Sequence, residues 1–261
     1  MQHKMPIGDR MKMYYELRAQ THLTRRMPVI LRVDGRAFHT LTRKLNLKKP
    51  FDGDIQRWMI ETARALCEEI QGAQLAYVQS DEISILITDY AGLQTEAWFD
   101  YNVQKMTSVS ASIATCKFVQ QVTEWLAYES QLISFDARVF NLPREEVNNY
   151  FVWRQQDWIK NSVQMLARSH YSQKQLLNKK QSDMHEMLHE KGVNWADLPE
   201  KWKNGVVLEY QEFDTSNGGP EPIIRHAWDE VDFHIFSKQP WMVNELVSLP
   251  PGGWGPPGAS T

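Results

Sequence analysis

The chain has 261 residues, of which 42% are hydrophobic and 23% are charged, enough to bury the core of one large domain or two small ones. Its formal net charge of -3 excludes a protein that is polycationic throughout, although local basic patches stay compatible with nucleic-acid binding. Only two cysteines occur, in separate helix-like segments, and no apolar run approaches 18 residues. These features predict a reduced, cytoplasmic protein without a membrane span.

The first predicted element is a strand over residues 28–36, where a compact run of Val, Ile and Leu stops at Asp34 and Gly35. Arg32 and Asp34 lie two positions apart on this strand. Side chains two apart on a strand point to the same face. A cation and a carboxylate are therefore expected to leave the sheet together.

Five further elements follow in chain order. Apolar residues at three- and four-residue spacing predict a helix over residues 54–70, with Asp52 or Asp54 available as its cap. Two short strands flank the hairpin QSDE, and a long helix is predicted from about residue 95 to residue 127. The stretch LISFDARVF, residues 132–140, is then a further strand.

The order strand, helix, strand, strand, helix, strand predicts an α+β fold of the split βαβ, ferredoxin-like type, with both helices on one face of an antiparallel sheet. Residues 1–140 are predicted to form this domain. Residues 141–261 are predicted to be a C-terminal extension, mostly helical from 144 to 205. The last run, PPGGWGPPGAST, has the composition of a disordered tail.

Two adjacent carboxylates, Asp81 and Glu82, occupy the hairpin between the two middle strands. The split βαβ topology brings Asp34 close to them, and grouped carboxylates resist ionisation unless a cation lies between them. Oxygen ligands of this kind suit Mg²⁺, and the missing Cβ of Gly35 lets its carbonyl approach an ion. Because neighbouring strand residues point to opposite faces, we assign the metal role to Asp81 and a supporting role to Glu82. A polar turn explains either motif alone, but the combination indicates a two-metal site.

Six stretches, taken in chain order, resemble the tRNA-His guanylyltransferase family, particularly its guanylyltransferase-like members that polymerise from 3′ to 5′. Each stretch alone is weakly specific, and the specificity lies in the combination. They are RVDGRAFH (32–39), KKPFD (48–52), QSDEISIL (79–86), SFDARVF (134–140), WRQQDWIKNS (153–162) and KGVNWADLPEKWKNGVVL (191–208).

The resemblance implies a polymerase-type palm that binds two Mg²⁺ ions and adds nucleotides to the 5′ end of a tRNA, with ATP, GTP and other nucleoside triphosphates as substrates. It makes Asp34, Asp81 and Glu82 the catalytic residues, and Asp34, the Gly35 carbonyl and Asp81 the metal ligands. Arginine and lysine would supply the further positive charge that a triphosphate needs. The residues carried over as nucleotide contacts are Arg32, Gly35, Arg36, Ala37, Phe38, His39, Lys49, Asp52, Ser80, Lys105 and Asn161.

Two departures from the family pattern bear on the activity. The stretch IKNSVQM, residues 159–165, stands where the tRNA-His enzymes carry His-Ile-Asn-Asn-Leu-Tyr-Asn, and of the polar positions it keeps Asn161 alone. This favours template-directed repair of tRNA 5′ ends over dedicated guanylyl addition to tRNA-His. Tyr101 and Asn102 stand where the family often has paired arginines, which leaves Lys105 as the nearest cation.

The region after residue 140 is expected to complete the fold and to hold RNA. Arg154 and Lys160 are candidate tRNA contacts there, although an ordinary solvated helix face explains them equally well. The resemblance also implies a homo-oligomer, a tetramer. Binding one tRNA across several subunits would offset the modest charge of a single chain.

Three other functions remain open. The stretch HEMLH, residues 185–189, matches H-E-x-x-H, so His185 and His189 could bind Zn²⁺ with Glu186 as general base and Glu209 as a third ligand. The polar helix around this motif argues against such a metalloprotease. A nucleotide cyclase would use the same palm and two-metal site, and a catalytically silent tRNA-binding module would keep the fold without the chemistry.

Overall fold

The computed structural model describes residues 5–92, 94–123, 132–214, 224–231 and 234–249. Within these ranges six strands form a single antiparallel sheet: β1 (Val29–Gly35), β2 (Ala73–Gln79), β3 (Glu82–Ile87), β4 (Phe135–Asn141), β5 (Val206–Asp214) and β6 (Ile224–Glu230). Their order across the sheet is β4-β1-β3-β2-β5-β6. The first four strands in this order have the split βαβ arrangement, so the predicted fold class is confirmed.

Helices cover both faces of the sheet. The longer ones are α3 (Gly53–Glu69), α4 (Val103–Thr123) and α5 (Arg144–His170); the shorter ones are α1 (Ile7–Met11), α2 (Phe38–Lys44), α6 (Gln173–Leu176), α7 (Gln181–Glu190), α8 (Glu200–Asn204) and α9 (Pro240–Leu246). Four single turns of π- or 3₁₀-helix join them, at Lys12–Glu16, Leu17–Ala19, Trp98–Tyr101 and Trp195–Asp197. In the described part of the chain, no helix is long and apolar enough to cross a membrane.

Side-chain alternation along the strands divides the core into two layers. On β1, Val29, Leu31 and Val33 are buried against α3 and α4, whereas Ile30 faces α5 and α9. The prediction that α3 and α4 share one face is therefore confirmed. The opposite face is covered by the N-terminal half of α5 together with α9, which makes the palm a three-layer structure.

The element boundaries differ most at the second long helix. Helix α4 begins at residue 103, not near residue 95, because Phe99, Asp100 and Tyr101 adopt left-handed φ angles that a continuing helix cannot contain. The side chain of Asn102 then accepts a hydrogen bond from the Lys105 amide at 3.0 Å, as an N-cap does. The predicted helical residues 124–127 lie outside the described ranges.

The C-terminal part adds two strands that the sequence analysis did not assign. Strand β5 pairs with β2, and β6 pairs with β5, so residues after 140 continue the palm sheet. The domain boundary at residue 140 stays a prediction, and the tail from residue 250 lies outside the described residues. Further along α5, Val163 and Leu166 pack with α6 and α7 in a separate small cluster beyond the sheet.

Candidate functional site

Four carboxylates meet where β1 ends. Asp34 pairs in register with Glu82 on β3 and with Asp136 on β4. The next residue, Gly35, donates its amide hydrogen to the Asp81 carbonyl at 2.9 Å. This bond fastens the end of β1 to the β2–β3 hairpin, so Asp34, Asp81 and Glu82 lie together as the topology predicted.

The negative charge at this point is only partly compensated. Burial first, and then the charges of Asp81, Glu82 and Asp136, raise the pKa of Asp34 to about 6, although Arg138 opposes them. Burial also raises the pKa of Asp81, against hydrogen bonds from Ser80 and from the backbone that lower it. A cation bound between Asp34 and Asp81 would relieve this cost.

Glu82 differs from Asp34 and Asp81 because its charge already has a partner, as that of Asp136 has in Arg138 at 2.7 Å. Arg154 on α5 donates to both of its oxygens, from Nε to Oε1 at 2.7 Å and from Nη2 to Oε2 at 2.8 Å. Both side chains are only 10% exposed, and Gln79 adds a third hydrogen bond at 3.0 Å. Glu82 therefore connects the hairpin to α5. Both sequence interpretations of Arg154, a tRNA contact or a solvated face, are wrong, because a buried guanidinium needs this carboxylate as its partner.

The space around Gly35 is too small for a side chain. A Cβ at this position would lie 2.4 Å from the Phe38 ring. That ring is buried and packs against Phe118 and Phe135, with centroids 5.0 and 5.1 Å away. Phe38, predicted as a nucleotide contact, is thus a core residue whose side chain supports Gly35, and only its backbone amide could reach a ligand.

The donor set suits Mg²⁺ better than a metal that needs a complete protein cage. Among the described residues, no three His, Cys, Asp or Glu side chains are grouped closely enough to hold a metal alone. Mg²⁺ is usually bound by one or two carboxylates and completed by water and substrate phosphates. Asp34 and Asp81, with the Gly35 carbonyl, fit that description.

The positions of the suggested zinc ligands contradict the zinc alternative. Helix α7 carries the HEMLH residues, but His185 packs edge-on against the Trp195 ring with centroids 5.8 Å apart, and His189 is exposed. The suggested third ligand, Glu209, lies on β5 beside Leu75. The described ranges contain no three-ligand group around this motif, so the zinc assignment is wrong.

Two neighbouring cavities open at the carboxylates. The first, which we call the acidic cleft, has a volume of 340 Å³ and contains Asp34, Asp81, Asn161 and Gln164. The second, which we call the aromatic cavity, has a volume of 410 Å³. The residues that line both are Gln79, Ser80, Trp158, Met165 and Arg168.

The aromatic cavity has flat, apolar walls and a basic rim. Phe51 stacks on Trp202 with ring centroids 5.2 Å apart, and the Trp158 ring stands edge-on to Phe51 at 6.4 Å. The positively charged residues along the lining are Lys48, Lys49, Lys201 and Arg168. Flat apolar walls beside cations suit a ligand with a planar ring and an anionic group.

Several predicted nucleotide contacts line these cavities. His39, Lys49, Asp52 and Ser80 line the aromatic cavity, and Asn161 lines the acidic cleft. The His39 imidazole is exposed rather than buried under the sheet. The Asp52 carboxylate caps α3 by accepting from the amides of residues 54 and 48, each at 2.8 Å, so its first role is structural.

Other predicted contacts lie elsewhere. Lys105 is on the first turn of α4, with Nζ 5.9 Å from the Phe99 ring centroid, and it lines neither cavity. It is the second half of α4 that contacts β4, the strand of Asp136, where Thr115 accepts from the Phe135 amide at 3.2 Å. Within one chain, Lys105 is therefore remote from the site.

The remaining predicted residues flank the end of β1. Arg32 points to the same face as Asp34, and its Nε is buried without a hydrogen-bond partner among the described residues. Arg36 is exposed and donates its amide to the Ser134 carbonyl at 2.9 Å. Ala37 adopts a left-handed φ of 57° at the N-cap position, directly before α2. The first amides of that helix have no partner within it.

The sequence analysis missed Trp158, Trp202 and Arg168. Both tryptophans belong to stretches quoted for the family resemblance, but nothing in the sequence joins them into one cavity. Arg168 follows Asn161 and Gln164 at helical spacing, so these three residues share one face of α5. This three- and four-residue spacing was the sequence signal that could have placed Arg168 at the site.

Comparison with known proteins identifies the family of the chain. A family model described as tRNAHis guanylyltransferase matches residues 8–143. A bacterial tRNA(His) guanylyltransferase-like protein solved in complex with ATP is 42% identical, with a TM-score of 0.83, and the match covers 94% of this chain and 100% of that one. The same kind of protein in complex with GTP is also 42% identical, with a TM-score of 0.79 and coverage of 93% and 99%.

A curated relative is more distant. A probable tRNA(His) guanylyltransferase of Drosophila melanogaster is 27% identical over 196 residues. That match covers 69% of this chain and 66% of the Drosophila protein, just under two thirds of its length. The chain thus matches the bacterial structure from end to end but only part of this longer relative.

Proposed function

The chain belongs to the tRNAHis guanylyltransferase family, and from this premise we propose that it is a nucleotidyltransferase that adds nucleotides to the 5′ end of tRNA in the 3′ to 5′ direction. One observation carries the proposal. Asp34 and Asp81 lie in an acidic cleft that shares a wall with an aromatic cavity of nucleotide size. ATP and GTP, which the bacterial relatives bind, are the proposed nucleotides.

Two Mg²⁺ ions are the proposed cofactors, held by Asp34, Asp81 and the Gly35 carbonyl. When bound, such ions activate an attacking hydroxyl and stabilise a leaving pyrophosphate. The raised pKa of both carboxylates supports this assignment, because burial and then neighbouring carboxylates disfavour their ionised forms, which a bound cation would stabilise.

The chain's own residues bind and orient the reactants. The aromatic cavity offers the base stacking surfaces from Phe51, Trp158 and Trp202. At its rim, Lys49 can contact the phosphates of the same nucleotide. Stacking accepts any base, since every base has a flat face. The choice of base would therefore come from pairing with the opposite strand of the tRNA, which supports repair of 5′ ends as the activity.

The proposed reaction forms one phosphodiester bond. The 3′ hydroxyl oxygen of the incoming nucleotide attacks the phosphorus of an activated tRNA 5′ end, either a triphosphate or an adenylylated monophosphate. Pyrophosphate or AMP leaves, and the hydroxyl proton is released to solvent. The ion pair between Glu82 and Arg154 keeps the hairpin, and hence Asp81, in place during these steps.

A cytoplasmic homotetramer is part of the proposal. The two cysteines, Cys67 and Cys116, are free thiols on separate helices, which supports a reducing compartment. Several subunits could share one tRNA and so offset the charge of -3 on each chain. Native mass spectrometry with and without tRNA would test both the subunit number and the stoichiometry.

The activity test uses a tRNA transcript that lacks its first 5′ nucleotide. The protein is incubated with Mg²⁺, ATP and all four labelled nucleoside triphosphates, beside Asp34→Asn and Asp81→Asn. Asp229→Asn is the matched control, because that carboxylate pairs with Arg64 on the other side of the sheet. We expect the wild type and the control to add the base that restores pairing, and the two site variants to add none.

Other outcomes identify the alternatives. Conversion of a triphosphate to a cyclic nucleotide without RNA would establish a cyclase. RNA binding with no product in any mixture would establish a binding module, and either result would overturn the proposal.

A further inference from the structure

Arg168 occupies a special place between the two cavities. It lies near the end of α5 and lines both the acidic cleft and the aromatic cavity. Within the described residues, the lysines Lys48, Lys49 and Lys201 line the aromatic cavity alone, and Arg154 lines the acidic cleft alone. Arg168 is thus the one lysine or arginine common to both linings.

The two arginines of this region differ in availability. Arg154 is bound by both oxygens of Glu82 and also contacts Asp157 at 3.3 Å. Arg168 is exposed, and over the described ranges its guanidinium has no hydrogen bond or ion pair. Five donors of a planar guanidinium therefore remain available to a ligand.

A nucleotide in this place has an electrostatic requirement that Arg168 meets. The flat walls of the aromatic cavity suit the base, so the phosphates extend toward Asp34 and Asp81, whose negative charges repel them. A guanidinium on the shared wall offsets that repulsion and binds two phosphate oxygens at once. Lys48, Lys49 and Lys201, which line the aromatic cavity alone, can add positive charge but cannot supply this fork.

From this arrangement we propose that Arg168 binds the phosphate chain of the nucleotide whose base stacks in the aromatic cavity. The inference rests on the proposed function, since it takes a nucleoside triphosphate as the ligand of this site. It adds a substrate-binding residue that the resemblance to the family did not supply. Arg168 thereby fixes the distance between the base and the two carboxylates.

The test compares ligands that share a base and differ in phosphates. ATP, AMP and adenosine are titrated in EDTA and without RNA, followed by tryptophan fluorescence, since Trp158 and Trp202 line the cavity. The proteins are the wild type, Arg168→Ala, Arg168→Lys and the control Arg57→Ala, which removes an arginine 62% exposed on α3 and outside both linings. Matching melting temperatures show that all four are folded.

The expected pattern is graded by phosphate number. Arg168→Ala should weaken ATP binding by roughly 10- to 100-fold, the usual effect of losing charge-assisted hydrogen bonds, and should leave adenosine unchanged. Arg168→Lys should recover part of the affinity, because an ammonium group keeps the charge and loses the fork. In the addition assay with Mg²⁺, KM for ATP should rise while kcat changes little.

Three results would overturn the inference. If Arg168→Ala binds ATP as tightly as the wild type, Arg168 does not bind the phosphates. If its affinity for adenosine falls as much as its affinity for ATP, Arg168 shapes the base cavity instead. A rise in KM for tRNA alone would assign the guanidinium to RNA. Failure of the proposed function is a separate outcome: a wild type that binds ATP and adds nothing to RNA leaves the comparison of ATP with AMP valid.

Discussion

Replacing Asp34 by asparagine should stabilise the metal-free protein while abolishing its activity. Burial, and after it the charges of Asp81, Glu82 and Asp136, raise the pKa of the Asp34 carboxyl from 3.8 to about 6. An acid whose pKa is raised by folding costs stability once it ionises. Asparagine keeps the shape of the side chain and removes that cost.

The magnitude follows from the pKa. The difference between 3.8 and about 6 corresponds to roughly 3 kcal/mol, and solvent screening at this half-buried position reduces it to about 1 kcal/mol. Between these pH values the folded wild type holds more protons than the unfolded chain, so its stability falls as pH rises through this interval. The advantage of Asp34→Asn should be near zero at pH 4 and complete above pH 7.

Urea unfolding at several pH values in EDTA measures this effect, with Asp229→Asn as the control that should gain nothing. Adding Mg²⁺ at pH 8 should then stabilise the wild type and leave Asp34→Asn unchanged, since binding to the folded state alone raises stability. Equal stability of the wild type and Asp34→Asn at pH 8 in EDTA would refute the account of the acidic cleft as an uncompensated charge cluster.

Three further predictions concern the surroundings of the site. Glu82→Gln should lower the free energy of unfolding by about 3 kcal/mol, because buried Arg154 loses its bidentate partner and keeps only the contact with Asp157. The double variant with Arg154→Met should regain much of this loss, and additive losses in urea would contradict the pairing. Gly35→Ala should lower the free energy of unfolding by about 2 kcal/mol, because its Cβ would lie 2.4 Å from the Phe38 ring. Gly53→Ala has open space around its Cβ and should be nearly neutral in the same urea experiment. His189→Ala should change stability by less than about 0.5 kcal/mol and leave nucleotide addition intact, and stoichiometric zinc in the wild type that disappears in this variant would disprove our rejection of the zinc motif.

Alternation and topology were sufficient to predict the carboxylate site. The run that ends at Asp34 reads as a strand, and the split βαβ order brings its end beside the hairpin. The two-residue period also separated Asp81 from Glu82, and the structure turns Glu82 toward α5. The second inference rests on a rule that holds along a single strand, and the first on the order of the elements in the chain.

Features that depend on residues far apart in the chain could not be predicted from the sequence. Arg154 meets Glu82 across 72 residues of chain, and nothing in a helical pattern distinguishes a buried arginine from a solvated one. The aromatic cavity joins Phe51, Trp158 and Trp202 from three separate elements. Strand β6 escaped assignment because its side chains are mostly exposed and show no apolar alternation.

Helix α5 has 27 residues and so spans about 40 Å. Arg154 fixes its middle to the hairpin, while the second half, which carries Asn161 and Arg168, extends beyond the sheet and rests on α7. The carboxylates thus lie at the ends of strands, whereas the proposed substrate contacts lie on a part of α5 that the sheet does not support. Substitutions in the contact between α5 and α7 can therefore shift this part of α5 without replacing Asn161 or Arg168. Under the proposed function, such substitutions would change how the nucleotide is held while Asp34 and Asp81 stay in place.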